Sequence, residues 1–88
     1  DTRDPKVMKA QAVIRGLGGE DNIITVENCM SRLRVRVRDM SLTDEAIIKT
    51  TGCMGIVRPD ENNIQIIYGA AVGMIREAVN RELKKLRG

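Results

Sequence analysis

Histidine, tryptophan and phenylalanine are missing from this 88-residue chain, and Tyr68 is its one aromatic residue. Without histidine the chain cannot itself supply an imidazole base, an imidazole metal ligand or a phosphohistidine. With a single aromatic ring it cannot build the stacking platforms that common single-strand nucleic-acid binders use. Cysteine is scarce too. Cys29 and Cys53 are too few for a disulfide framework, and two thiolates without histidine make a poor zinc site, so no metal or other cofactor is expected. The apolar runs are only a few residues long, against the roughly 20 that span a bilayer. The opening DTRDPK is not a basic-then-apolar leader, and both thiols are expected to be reduced in a cytosolic setting.

Apolar residues make up 42% of the chain and charged residues 31%, the balance of a globular protein rather than a disordered one. The length suits one small domain, expected over residues 5–88, with residues 1–4 read as a linker remnant. Net charge is +3 and unevenly spread. Arg32, Arg34, Arg36 and Arg38 fall within seven residues that contain no acid, so the remainder of the chain sums to −1.

Asp4 before Pro5 predicts a helix start, and Val7, Ala10, Gln11, Ile14 and Leu17 continue at helical spacing until Gly18-Gly19. Ile23 to Val26 is β-branched and predicts a short strand, with Glu27 to Met30 as the turn after it. From Ser31 to Arg38, Leu33, Val35 and Val37 alternate with the four arginines, the period of a half-buried strand. Thr43 is expected to cap a second helix, with Asp44 and Glu45 in its first turn and Gly52 at its close. Cys53 to Val57 and Ile64 to Tyr68 read as two further strands around the turn cluster 59–63. Val72, Ile75, Val79, Leu83 and Leu86 predict a long amphipathic helix. The order α-β-β-α-β-β-α implies an α+β two-layer sandwich: a four-stranded antiparallel sheet with three helices on one face and the other face wet.

On that wet face the arginines are either a solvated stripe, the ordinary case, or an anion site. Like charges two positions apart repel, a nearby anion relieves the repulsion, and guanidinium forks fit phosphate oxygens. Cys29 stands in the turn just before the stripe. A thiol near guanidinium groups has a lowered pKa and is partly thiolate, the nucleophilic form. Cys53, between Gly52 and Met54, fits a buried apolar role better. A tyrosine-phosphatase loop places arginine at the sixth position after its cysteine, and here that position is Val35. No histidine or carboxylate pair stands ready to activate water, so a relay that takes up and hands on a phosphoryl group suits these residues better than hydrolysis. The alternative reading is a nucleic-acid-binding module that uses the Arg32/Arg34/Arg36/Arg38 strand; it gives Cys29 no role.

The runs Gly18-Gly19-Glu20-Asp21-Asn22-Ile23 and Val26-Glu27-Asn28-Cys29-Met30-Ser31-Arg32-Leu33-Arg34-Val35 resemble the signature of glucose-type enzyme IIB domains of the bacterial phosphoenolpyruvate-dependent sugar phosphotransferase system. The resemblance continues through Val37-Arg38-Asp39, Gly52 to Val57 and Ile64-Gln65-Ile66-Ile67-Tyr68-Gly69. It implies that Cys29 is the phosphorylated cysteine, with Arg32 and Arg34 around it and Gln65 beside the site. Glu27 stands where the family often has Asp, and Ser31 where it often has Thr; both keep the polar chemistry. Arg36 and Arg38 are expected to be solvated or partner-facing. The implied partners are a IIA phosphodonor domain and a membrane IIC domain with its bound sugar, not nucleic acid. The implied place is the cytoplasmic face of the cell membrane, and the isolated domain is expected to be monomeric. A phosphorylation-sensing regulator built on the same domain would differ only in what it contacts.

Overall fold

Asp4 opens the first helix, its side chain accepting the Lys6 N–H at 2.9 Å, while Pro5 leaves no N–H in need of a partner. The computed structural model describes residues 4–88; of the segment read as a linker, residues 1–3 lie outside that range. The first helix, α1 (Pro5–Gly16), buries Ala10, Val13 and Ile14, and Leu17 follows them into the core. Its last residue must be glycine for packing reasons. A Cβ on Gly16 would lie 2.5 Å from Cγ1 of Ile48, in the second helix.

Four strands form one antiparallel sheet: β1 (Ile23–Asn28), β2 (Arg32–Val37), β3 (Gly55–Val57) and β4 (Asn63–Ile67), in the order β1-β2-β4-β3. The helices α1, α2 (Glu45–Lys49) and α3 (Val72–Leu86) cover one face. Leu33, Val35 and Val37 of β2 and Ile64 and Ile66 of β4 point into the shared core. The α+β two-layer sandwich expected from the alternation is the architecture observed.

Several boundaries differ, each for a local reason. β1 runs on through Glu27 and Asn28, which the sequence reading put in a turn, so only Cys29, Met30 and Ser31 separate it from β2. A bulge lies between Ile23 and Thr25, which pair with Val37 and Arg36; Ile24 is therefore exposed while Ile23 and Val26 both face inward. The cap of α2 is Asp44 rather than Thr43: the Asp44 carboxylate accepts the Ala46 N–H at 2.9 Å, whereas the Thr43 hydroxyl donates to the Met40 carbonyl at 2.7 Å. A 3-10 turn over Met40–Leu42, capped by Asp39, had already used the preceding residues. Cys53 lies before β3 instead of in it, half-buried, with Sγ 3.8 Å from the Ile48 carbonyl. Leu86, expected on the apolar side of α3, is 56% exposed at the helix end.

Candidate active site

The sheet register decides which polar groups meet on the open face. Glu27 of β1 pairs with Arg34 of β2, and Arg34 with Gln65 of β4, so these three side chains form one row across the sheet. Gln65 thus shares a face with the arginines, as its parity against Ile64 and Ile66 requires. Arg32 stands one step nearer the β1–β2 hairpin tip, and its Nη1 donates to Gln65 Oε1 at 3.0 Å. That bond engages one nitrogen of the guanidinium. Arg36 pairs between Thr25 and Asn63 and lies near the Asp60 carboxylate. Arg38 leaves the stripe: it falls beyond the end of β2, and its Nε donates to the Asp21 carbonyl at 2.9 Å. The run of four arginines on which the nucleic-acid alternative depends is interrupted there.

Cys29 occupies the hairpin tip, exposed to solvent. Its N–H donates to the Arg32 carbonyl at 3.0 Å, and the Asn28 side-chain amide donates to the Cys29 carbonyl at 3.0 Å. The thiol is held below its ordinary range, first by the backbone N–H of Ser31 and then by that of Arg32; slight desolvation opposes them, and the Arg34 charge adds a smaller lowering. The guanidinium effect expected from the sequence is present through Arg34, but it ranks behind the two backbone N–H groups. Arg32 acts on the sulfur through its backbone, its side chain being engaged with Gln65. Ser31 acts through its N–H as well. Two anchors escaped the sequence reading: the N–H groups of Tyr68 and Gly69 both donate to the Ser31 carbonyl, each at 2.9 Å, and so tie the tip to the end of β4.

The arrangement offers an exposed sulfur whose thiol is held below its ordinary range, backbone donors around it and guanidinium forks on the adjoining sheet face. These are the requirements of a nucleophile that carries a tetrahedral oxyanion. Among the described residues, no group of three or more His, Cys, Asp or Glu is placed to hold a metal ion.

A family model for the phosphotransferase system EIIB matches residues 11–44, the stretch that holds Glu27, Cys29, Ser31, Arg32 and Arg34. The N-acetylglucosamine-specific EIIB component of Streptomyces coelicolor is 43% identical over 61 residues, which are 69% of this chain and 78% of that protein. This chain belongs to the phosphotransferase system EIIB family. Membership bears out the glucose-type resemblance carried by the Cys29 to Arg34 run. A longer EIIB-containing relative is the N-acetylglucosamine-specific EIICB component of Bacillus subtilis, 36% identical over 72 residues that are 82% of this chain; the chain spans only 16% of that relative's length. One solved domain of a PTS system IIabc component from Clostridium difficile shares the fold described above, with a TM-score of 0.72 at 28% identity over 94% of this chain and 83% of that one. Among the described residues, no helix is long and apolar enough to cross a membrane.

Proposed function

We propose that Cys29 of this EIIB chain is a phosphocysteine carrier between a IIA domain and a sugar held by a membrane IIC domain. The observation that carries the reading is the exposed Cys29 thiol, drawn toward its thiolate by the Ser31 and Arg32 N–H groups and flanked by Arg34. In the first step the sulfur attacks the phosphorus of a IIA phosphohistidine. The S–P bond forms, the N–P bond breaks and the imidazole leaves. In the second step a sugar hydroxyl oxygen attacks that phosphorus; the O–P bond forms, the S–P bond breaks, the thiolate returns and the hydroxyl proton passes to a base at the sugar site.

Phosphoryl transfer asks a protein mainly for positioning and charge stabilisation. The N–H groups at the tip and the Arg32 and Arg34 forks supply both, and Gln65 keeps the Arg32 fork in place. Glu27 stands directly opposite Arg34 across the β1–β2 ladder. Cys29 stands at an exposed turn rather than at the bottom of a cleft, which suits a carrier that must meet two large partners in succession. The Bacillus subtilis relative, named an EIICB component, supports a IIC partner. On this reading residues 5–88 act as one monomeric domain on the cytoplasmic side of the membrane, and the choice of sugar belongs to IIC.

Incubation with a phosphorylated IIA domain tests the assignment. Cys29→Ser should fold and accept no phosphoryl group, while Cys53→Ala should accept one as the parent chain does. Full labelling of the Cys29→Ser variant would overturn the proposal.

A further inference from the structure

The peptide unit that joins Ser31 to Arg32 is gripped at one end and used at the other. Its carbonyl accepts both the Tyr68 and the Gly69 N–H, each at 2.9 Å. Its N–H, that of Arg32, is turned toward the hairpin tip, where the Arg32 carbonyl accepts the Cys29 N–H at 3.0 Å and stands 3.7 Å from the Cys29 sulfur. A trans peptide keeps N–H and C=O antiparallel in one plane, so fixing the carbonyl also fixes where the N–H points. Donors on the carbonyl polarise the amide and strengthen the hydrogen bond its N–H gives. The second donor depends on an unusual backbone. Gly69 has φ of 78°, and a Cβ there would lie 3.2 Å from Met54 Cε. The same residue begins the 3-10 turn Gly69–Ala71 that leads into α3, so it joins the helical layer to the hairpin tip.

We propose that Gly69 is a positioning residue for Cys29: its N–H, beside that of Tyr68, holds the Ser31 carbonyl so that the Arg32 N–H stays aimed at the sulfur and at the phosphoryl group it carries. This role rests on the phosphocysteine reading, but thiol ionisation can be followed with no phosphodonor present. An unaltered thiol in a Gly69 variant strikes the clamp alone, and a chain that takes no phosphoryl group strikes the transfer reading alone.

The experiment is the pH dependence of Cys29 alkylation by iodoacetamide, followed by mass spectrometry in a Cys53→Ala background with one thiol. Gly69→Ala should move the midpoint upward by about half a pH unit or more, with alkylation roughly 3-fold slower near neutral pH. A synthetic chain in which an ester oxygen replaces the Gly69 N–H keeps glycine's backbone freedom and deletes only the donor; it should shift the midpoint in the same direction. This second chain decides the matter if Gly69→Ala fails to fold. Gly19→Ala is the matched control. Gly19 also has a positive φ, 93°, with open space around it, and it precedes β1 at the end of the sheet opposite Cys29. It should lose stability and keep the parent midpoint. An unchanged midpoint in the folded ester chain, or an equal shift in Gly19→Ala, overturns the proposal.

Discussion

Arg32 and Arg34 differ in what each is free to do, although the sequence presents them as equivalent. Arg32 is held by Gln65 at 3.0 Å, while Arg34 sits centrally in its row and its charge reaches the Cys29 sulfur. Arg34→Lys keeps the charge and loses the paired donors that grip a tetrahedral oxyanion. Sugar phosphorylation in a reconstituted relay should fall by about 10- to 100-fold, the rate equivalent of one or two charge-assisted hydrogen bonds. Acceptance from IIA should suffer less, and an unchanged rate of sugar phosphorylation would remove Arg34 from the reaction. Alternation alone placed Arg34 and Gln65 on one face, because a strand offers only two. The cause of the Cys29 acidity was not readable in that way. It depends on how the hairpin tip turns its N–H groups inward, and residues far along the chain, Tyr68 and Gly69, hold that turn.

Among the elements, one buried side chain carries the junction of α1, β1 and β2. The Asn22 amide nitrogen donates to the Leu17 carbonyl at 2.7 Å and the Asp39 carbonyl at 2.9 Å, and its oxygen accepts the Asp39 N–H at 2.9 Å. Only 3% exposed, Asn22 cannot hand these partners to water. Asn22→Leu should therefore cost about 2–4 kcal/mol, since each buried group left unpaired costs about 1–3 kcal/mol. Urea denaturation with an unchanged slope checks this; a loss below about 0.5 kcal/mol would assign the junction's stability elsewhere. Periodicity and composition located the three α-helices and four strands, yet nothing in the local pattern sets Asn22 apart from Glu20 and Asp21. Hydrogen bonds to backbone that returns from a distant strand leave no mark on local spacing. The α2 cap was missed by one residue for a related reason: Thr43 and Asp44 are both good caps, and the 3-10 turn before them decides which one is in position.

For the molecule as a whole, stability should depend on pH at both ends of the scale. The Ser41 hydroxyl and N–H hold Asp39 below the usual carboxylate range, and the Asn62 N–H with the Asn63 side chain does the same for Asp60. Arg58 lowers Glu45, and Lys85 lowers Glu82. A carboxylate with a lower pKa folded than unfolded stabilises the fold above its unfolded pKa, and that contribution disappears as pH falls through the folded value. The urea midpoint should thus drop between about pH 6 and about pH 3. A flat profile would contradict these pairings. Burial, only partly offset by the Thr51 hydrogen bond, pushes Tyr68 up to about 12. Unfolding lets it ionise sooner, so stability should also decline above about pH 10. As the only tyrosine, Tyr68 can be titrated directly by its tyrosinate absorbance. A midpoint near 10 would mean that its ring is not buried.

Whether a single sulfur carries the phosphoryl group is read most directly by peptide mapping of the parent chain after incubation with a phosphorylated IIA domain. One added phosphoryl group is expected, on the peptide containing Cys29, lost again when a IIC domain and its sugar are supplied. A phosphoryl group found on Cys53, on Ser31 or on neither thiol would contradict it.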